Sequence, residues 1–235
     1  TIVGVDVRHP AVVARPSAGE LAAELCGQRI EGLGRRGKFL VFSLGTGDAL
    51  VLHLRMTGQV LVTPGDYPEK RWTHLGMQLD DGTQLRYLDQ RRFGRFWLVR
   101  AGETDDFTGI AKLGPEPFDD EFNPDYCRAF LKKRRVPIKQ VLLDQSFVAG
   151  IGNIYANEIC FALRIDPRKR CDQLTKAQIT ALPEVTRQIL SLAIEAGGSS
   201  IRSYTSSLGV TGRFQLQIQV HGREGEACPL CGGPI

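Results

Sequence analysis

Residues 150–153, which read Gly-Ile-Gly-Asn, are the first candidate for chemistry in this sequence. Gly150 and Gly152 permit a tight turn, and a helix that follows the turn would present N–H groups at its start. Such a helix start attracts anions, and the side chain of Asn153 adds an amide donor. Turns of this kind also join helices in ordinary bundles, so these residues alone leave an anion site and a structural joint both open.

Cys228 and Cys231 are the second candidate, because a Cys-x-x-Cys pair is a common half of a zinc site. A structural zinc ion takes four ligands, and a redox-active dithiol is the alternative for a lone pair. The remaining cysteines are widely spaced in a chain without an export signal, so we expect buried thiols at Cys26, Cys127, Cys160 and Cys171.

Basic residues are grouped along the chain. The net charge of +4 and the pI of about 8.8 are only mildly basic. Groups of cations lie at residues 35–38, 91–95 and 132–139. Grouped cations raise the local positive potential and attract polyanions. A solvated surface explains any one group equally well, whereas the groups together favour nucleic acid as a partner.

The first hundred residues are expected to position these groups on strands. Short apolar segments that roughly alternate, divided by Gly- and Asp-containing turns, predict strands at residues 1–7, 38–44, 49–54, 59–63, 75–79, 84–88 and 95–99. Many short strands at close spacing are typical of a sandwich or barrel. Ser17 is expected to cap one helix over residues 18–26.

The pattern becomes helical after a Pro-rich joint at residues 113–117, where we place a domain boundary. Helices are predicted at residues 123–133, 137–147, 153–163 and 175–196. Pro183 should bend the last helix or reset its start. Residues 214–220 alternate as a strand. The sequence therefore predicts an α+β protein.

Composition excludes some classes of protein. A hydrophobic content of 42% is enough for a core, which argues against global disorder. No apolar run approaches the roughly 20 residues that a bilayer-spanning helix needs, and no export signal is visible. We expect a cytoplasmic protein without a membrane partner.

Residues 142–158, which read Leu-Leu-Asp-Gln-Ser-Phe-Val-Ala-Gly-Ile-Gly-Asn-Ile-Tyr-Ala-Asn-Glu, closely resemble a known motif. It is the helix-two-turns-helix motif of the formamidopyrimidine-DNA glycosylase and endonuclease VIII superfamily. Further segments resemble that family's markers in its order, at residues 35–40, 53–58, 89–94, 113–117, 197–202 and 220–231. His53-Leu-Arg-Met56 together with Arg91-Arg-Phe-Gly94 resembles the formamidopyrimidine branch more than the endonuclease VIII branch.

The resemblance implies a domain organisation. It comprises an N-terminal β-sandwich domain over residues 1–112, a linker over 113–122, a helix-two-turns-helix DNA-binding domain over 123–205, and the end of a lesion-covering loop with a partial zinc ribbon over 206–235. One structural Zn²⁺ is implied, with Cys228 and Cys231 as ligands. The site is incomplete in this sequence, since the family's second cysteine pair would follow Ile235.

The resemblance also assigns the residues that help to extrude a base. A damaged nucleotide must leave the base stack, and side chains then fill the gap. Met56, Arg91 and Phe93 match the family's positions for this role, with Arg91 able to pair with the orphaned base. By periodicity alone, Met56 and Phe93 would be core residues.

Further DNA contacts are implied by the resemblance. Lys38 is the strongest, because the family ties this lysine to strand cleavage. The other phosphate-contacting positions are His53, His74, Arg134, Lys139, Asn153 and His221. His53 and His74 could instead be core or edge histidines, and His221 stands where the family has a tyrosine. The lesion loop over residues 199–211 would contribute Ser199, Ser200, Arg202 and Tyr204.

The family's nucleophile is the amine of an N-terminal proline, which is followed by a glutamate. This sequence starts at Thr1, and Pro10 and Pro16 are internal. We therefore expect the 235-residue chain itself to lack glycosylase and lyase activity. We favour a fragment of an active enzyme over a non-catalytic relative that only binds DNA.

The function implied by the resemblance is base-excision DNA repair. The enzyme would remove oxidised purines, such as 8-oxoguanine and formamidopyrimidines, from duplex DNA and cleave the strand at the abasic site. We expect a monomer, associated with the bacterial nucleoid, whose partner is double-stranded DNA with oxidised bases or abasic sites. The alternatives are an endonuclease VIII-like enzyme for oxidised pyrimidines, a non-catalytic binder of damaged DNA, and a DNA-binding protein without damage preference.

Overall fold

Strands make up the first part of the chain and helices the second, which confirms the predicted α+β class. The computed structural model describes residues 1–198 and 217–235. These residues form two units, of which the first ends at Ala111 and the second begins at Lys112. In the described part of the chain, no helix is both long enough and apolar enough to cross a bilayer. Ser199, Ser200, Arg202 and Tyr204 of the predicted lesion loop lie outside the described residues.

The first unit contains two sheets. Its strands are β1 (Ile2–Val7), β2 (Val13–Arg15), β3 (Ile30–Arg36), β4 (Phe39–Leu44), β5 (Ala49–His53), β6 (Gly58–Pro64), β7 (Thr73–Leu79), β8 (Thr83–Asp89) and β9 (Arg95–Val99). One sheet has the order β1-β7-β8-β6 and is antiparallel. The other has the order β2-β9-β5-β4-β3, in which only β2 runs parallel to its neighbour.

One buried cluster of apolar side chains draws on both sheets. Leu75 and Tyr87 come from the four-stranded sheet, while Leu52 and Phe96 come from the five-stranded sheet. The helix α1 (Ala18–Leu25) adds further apolar side chains to this cluster. Ser17 and Glu20 form a reciprocal capping box at the start of α1, so the predicted cap is confirmed.

The seven predicted strands are all present, with ends that shift by at most two residues. β2 and β3 were not predicted. β2 has only three residues. β3 is an edge strand that carries glycines and arginines, residue types that contribute little to a strand pattern.

The helices of the second unit are α2 (Pro124–Leu131), α3 (Ile138–Leu143), α4 (Asn153–Ala162) and α5 (Lys176–Glu195). Asn123 caps α2 with Pro124 in its first turn, and Thr175 caps α5 in a capping box with Gln178, as predicted. Their apolar faces pack around a second buried cluster that includes Phe122 and Phe147.

Two sequence-based expectations in this region, one on a helix end and one on a strand, are wrong. The predicted helix 137–147 ends at Leu143, because the carboxylate of Asp144 accepts hydrogen bonds from Ser146 and turns the chain. Pro183 does not reset the start of α5, because the helix runs through this buried residue, and a bend at Pro183 stays a prediction. Residues 217–220, predicted as the end of a strand, form a turn and a bend.

The expected buried thiols are confirmed at three of the four positions. Burial raises the pKa of Cys127 and of Cys160 to about 12, and that of Cys171 to about 11. Cys26 is exposed, because it follows the last turn of α1 at the surface.

Candidate functional site

Met56, Arg91 and Phe93 lie together at the surface of the first unit, and we call them the wedge cluster. Nη1 of Arg91 is 3.0 Å from the sulfur of Met56. The Arg91 guanidinium also lies 4.7 Å from the centre of the Phe93 ring. The exposed fractions are 70% for Met56 and 48% for Phe93. The interpretation of Met56 and Phe93 as core residues is therefore wrong.

Two loops between the sheets present the wedge cluster. Met56 lies between β5 and β6, whereas Arg91 and Phe93 lie between β8 and β9. The loops start and end side by side, because His53 pairs with Arg95 in one sheet and Gly58 pairs with Asp89 in the other. The sheet register therefore brings together residues that are far apart in the sequence.

Lys38 and His53 lie on neighbouring strand ends of the first unit. Lys38 precedes β4, whose first residue, Phe39, pairs with His53 at the end of β5. The rings of Phe39 and His53 meet edge to face, with centroids 4.7 Å apart. Lys38 remains exposed to solvent, although the surrounding protein partly desolvates its ammonium group and thereby lowers its pKa.

The imidazole of His53 is neutral over the physiological pH range. Burial, followed by the charges of Arg55 and Lys38, lowers its pKa from 6.5 to about 4. The amide of Arg55 donates a hydrogen bond to Nδ1 of His53 at 2.9 Å. Because Nδ1 accepts this bond, the proton of the neutral ring is assigned to Nε2, which can donate to an anion.

His74 has a different environment from His53. Its side chain is buried, and Nε2 lies 2.8 Å from the carbonyl oxygen of Asp89. This contact makes Nε2 a donor within the fold. The backbone carbonyl of His74 accepts hydrogen bonds from the amides of Arg8 and His9. His74 therefore braces the start of the loop that carries Arg91.

The predicted anion site in the second unit lies at the start of α4. Asn153 is the first residue of this helix and is exposed, and Gly152, which precedes it, has no side chain with which to cap the helix. Gly150 adopts a left-handed conformation with φ of 89°, which its lack of a side chain permits. The start of this helix can therefore donate hydrogen bonds to an anion.

Gln145 braces the turn before α4, and sequence reasoning gave it no role. Its Oε1 accepts a hydrogen bond from the Gly150 amide at 2.9 Å, and its Nε2 donates to the carbonyl of Ile151 at 3.0 Å. The segment predicted as a domain joint also contacts this turn, because the amide of Ala149 donates to the carbonyl of Pro115. The position of Asn153 is thus fixed by neighbouring polar contacts.

Arg134 and Lys139 belong to different elements of the second unit. Arg134 follows α2, with its guanidinium 4.0 Å from the ring centre of Phe130 and Nη1 3.9 Å from a carboxylate oxygen of Asp144. Lys139 is the second residue of α3 and is partly exposed. Both cations retain enough exposure to meet a phosphate.

His221 is held by two consecutive residues of α4. Its Nδ1 lies 2.8 Å from Nδ2 of Asn157. The carboxylate of Glu158 accepts hydrogen bonds from the amides of Gln219, Val220 and His221, at 2.9, 3.1 and 2.9 Å. Sequence reasoning quoted Glu158 within a motif but gave it no role.

Cys228 and Cys231 form a tight turn near the end of the chain. Hydrogen bonds from the amides of Leu230 and Cys231 hold the pKa of the Cys228 thiol below its ordinary value. This arrangement favours the thiolate, the form that binds metal. Over residues 1–198 and 217–235, no three or more His, Cys, Asp or Glu side chains are grouped so that they could hold a metal ion. Among the described residues, Cys228 and Cys231 are therefore a pair of thiols and not a complete metal site.

Comparison with known proteins adds independent information. The family model described as Formamidopyrimidine-DNA glycosylase N-terminal domain matches residues 1–96, and the one described as Formamidopyrimidine-DNA glycosylase H2TH domain matches residues 113–205. A Formamidopyrimidine-DNA glycosylase of Moorella thermoacetica is 44% identical, over 100% of this chain and 85% of the relative.

Solved structures agree with these matches. A mutant of the Lactococcus lactis FPG, in complex with a Fapy-dG containing DNA, is 38% identical with a TM-score of 0.92, and the match covers 100% of this chain and 85% of that chain. MutM in complex with carbocyclic 8-oxo-G containing DNA is 37% identical with a TM-score of 0.91, again over 100% and 85%. The chain therefore belongs to the formamidopyrimidine-DNA glycosylase family.

Proposed function

We propose that the protein acts in base-excision repair, as a DNA glycosylase that removes oxidised purines from duplex DNA and cleaves the strand at the resulting abasic site. Its partner is double-stranded DNA that contains 8-oxoguanine, formamidopyrimidines or abasic sites. The residues of this sequence supply the grip on the backbone and the side chains that replace the extruded base.

The wedge cluster is the observation that carries this proposal. Two large apolar side chains and one cation are exposed together on loops that connect the two sheets. Insertion of Met56 and Phe93 into a base stack would bury their apolar surface and offset part of the cost of unstacking. The Arg91 guanidinium offers several donors in a planar array, which suits an unpaired base edge.

Phosphate binding is assigned to the cationic and donor groups of both units. Lys38 supplies a charge beside the neutral Nε2–H donor of His53, and we assign Lys38 to the strand-cleavage step as well. Asn153 and the start of α4 offer donors for another phosphate, while Arg134 and Lys139 add charge. His221 presents a ring fixed by Asn157. Because Nε2 of His74 donates within the fold, we assign His74 to the support of the loop that carries Arg91, in addition to contact with DNA.

The same proposal includes the finer architecture. The core shared by both sheets supports a β-sandwich in the first unit, and the braced turn before α4 supports a helix-two-turns-helix domain. Cys228 and Cys231 would supply two of the four ligands of one structural zinc ion in a ribbon. The ion would tie the C-terminal turn together and take no part in the reaction.

Binding of lesion-containing duplexes tests the proposal. Fluorescence anisotropy at a fixed, stated salt concentration compares otherwise identical duplexes that contain 8-oxoguanine, an abasic-site analogue, thymine glycol or no lesion. We expect the 8-oxoguanine and abasic duplexes to bind at least roughly tenfold more tightly than the undamaged duplex, because a damaged site costs less to unstack.

The other outcomes separate the alternatives. A preference for thymine glycol would assign the protein to the endonuclease VIII type of specificity. Equal affinity for all four duplexes would overturn the proposal, because it would mean that the wedge cluster does not read damage.

A further inference from the structure

The carboxylate of Asp89 is almost completely buried, with an exposed fraction of 1%. It lies at the end of β8 and makes four hydrogen bonds. Oδ2 accepts from the hydroxyl of Tyr87 at 2.9 Å and from the amide of Gly94 at 2.9 Å. Oδ1 accepts from the amide of Arg91 at 3.1 Å and from the hydroxyl of Thr57 in a short contact. A buried carboxylate with this many donors is a fixed point of the fold.

Three of these donors come from the two loops that carry the wedge cluster, and the fourth, Tyr87, belongs to β8. Thr57 directly follows Met56, whereas Arg91 and Gly94 enclose Phe93 in the other loop. Oγ of Thr57 also accepts a hydrogen bond from the Arg91 amide at 3.2 Å. One buried carboxylate therefore joins two loops that have no sequence continuity.

Both loops contain a residue in an unfavourable backbone conformation. Arg55, beside Met56, has φ of 57°, and Arg92, beside Arg91, has φ of 58°. Left-handed conformations at residues other than glycine persist where surrounding contacts determine the backbone strongly. Asp89 accepts hydrogen bonds from Thr57, two residues after Arg55, and from Arg91 and Gly94 on either side of Arg92. These hydrogen bonds supply such contacts.

The close approach of Gly94 to Tyr87 tightens the same network. A Cβ atom at Gly94 would lie 1.9 Å from the Tyr87 hydroxyl and 3.0 Å from the carbonyl oxygen of His53. The loop that carries Phe93 can therefore close onto Tyr87 and Asp89 only because residue 94 lacks a side chain.

We propose that Asp89 is a positioning residue, whose carboxylate locks the two loops together so that Met56, Arg91 and Phe93 enter the DNA stack as one preorganised unit. This inference rests on the proposed function and deepens it. Fixing the loops before binding lowers the conformational entropy that insertion would otherwise cost.

The protonation state of Asp89 agrees with this role. Burial alone would raise the pKa of the carboxyl group. The hydrogen bonds, of which that from the Gly94 amide is the strongest, outweigh burial and hold the pKa below its ordinary value. Asp89 is thus ionised at neutral pH and can accept all four hydrogen bonds.

The variant Asp89→Asn tests the inference, since it keeps the shape of the side chain but replaces one acceptor oxygen with a donor. The readout is the fluorescence of 2-aminopurine placed opposite an abasic-site analogue, which reports insertion into the stack at that site. We expect the fluorescence change on binding to fall, and the preference for the abasic duplex over the undamaged duplex to drop about tenfold. Affinity for the undamaged duplex should change by less than about twofold, since phosphate contacts dominate there.

Two further variants accompany it. Thr57→Val removes only the hydroxyl that links Met56's loop to Asp89, and we expect the same effects in a protein that folds normally by circular dichroism. Asp81→Asn is the matched control, because Asp81 is an exposed carboxylate that accepts hydrogen bonds from Thr83 in the turn between β7 and β8. Asp81→Asn should behave like the wild type.

The outcomes distinguish this inference from the proposed function. If the wild type shows no lesion-dependent fluorescence change, the proposed function itself is overturned. If the wild type shows the fluorescence change, and Asp89→Asn and Thr57→Val show a change as large as that of the wild type, the positioning role of Asp89 is overturned while the proposed function stands. If Asp89→Asn does not fold, the result for Thr57→Val decides.

Discussion

Nη1 of Arg91 lies 3.0 Å from the sulfur of Met56, although 35 positions separate the two residues in the sequence. The contact joins a cation that is exposed to solvent to a flexible thioether that is 70% exposed. Neither side chain belongs to the core of its unit, so their role must lie at the surface. Their contact means that one binding event would engage both.

Truncation of Met56 tests this role directly. Because Met56 is exposed, we expect Met56→Ala to change the free energy of unfolding by less than about 0.5 kcal/mol. The same variant should lower the preference for an abasic-site duplex about tenfold, since the gap in the stack would lose its apolar filler. Urea denaturation and fluorescence anisotropy measure the two effects separately.

Leu33→Ala is the matched control for Met56→Ala. Leu33 is also a large, exposed apolar residue of the first unit, but it lies on the edge strand β3 and not in the wedge cluster. Leu33→Ala should leave both the free energy of unfolding and the preference for the abasic-site duplex unchanged. Equal lesion preference in wild type and Met56→Ala would instead show that Met56 takes no part in the recognition of damage.

Replacement of Lys139 tests the assignment of phosphate contacts. If Lys139 neutralises one phosphate, Lys139→Ala should reduce the slope of log affinity against log salt concentration by about one. The loss of affinity should be similar for damaged and undamaged duplexes, because phosphates carry no sequence or lesion information. Binding isotherms at several salt concentrations give the slope.

Lys176→Ala provides the comparison for the salt experiment. Lys176 is an exposed lysine of the same unit at the start of α5, outside the proposed contacts. Its removal changes the net charge equally, so any general electrostatic effect is common to both variants. Identical slopes for the two variants would count against Lys139 as a phosphate ligand.

Local sequence patterns predicted much of the fold. Alternation located seven strands, and cap residues such as Ser17 and Thr175 located helix starts, because these signals act between neighbours in the chain. The sequence did not predict β3, because its residues have little strand preference. Pairing with β4 imposes the extended conformation of β3. At such positions, pairing with a neighbouring strand outweighs the intrinsic conformational preference of the residues.

The site was less accessible to sequence reasoning. Periodicity favoured a buried Met56 and Phe93, and only the resemblance to a family suggested their exposure. The roles of Asp89 and Glu158 were not predicted at all. Thr57 lies 32 positions from Asp89, and His221 lies 63 positions from Glu158, so no local pattern records these two contacts.

The neutral state of His53 leads to a dependence of stability on pH. The pKa of His53 is about 4 in the folded protein, whereas the unfolded chain has the ordinary value of 6.5. Between these values the unfolded chain binds more protons, so stability should fall as the pH drops from about 6.5 towards about 4. His53→Gln removes this contribution, and its free energy of unfolding should decrease less over that window.

Two measurements check the pH prediction. Urea denaturation at about pH 7 and about pH 5 compares the wild type with His53→Gln. The ¹⁵N signals of the imidazole should stay those of the neutral Nε2–H form at about pH 5. A titration midpoint of His53 near its ordinary value would contradict the prediction.

Glu158 is buried, with an exposed fraction of 4%, and its single carboxylate fixes the segment 219–221. In Glu158→Gln one acceptor oxygen becomes a donor that faces backbone amides, which should cost about 1–3 kcal/mol locally. Hydrogen exchange at the amides of Gln219, Val220 and His221 should therefore accelerate, and DNA affinity should fall because His221 loses its fixed position. Glu184→Gln, at an exposed position of α5, should leave exchange and affinity unchanged. Faster exchange with undiminished affinity would show that the carboxylate stabilises the segment but that His221 takes no part in binding DNA.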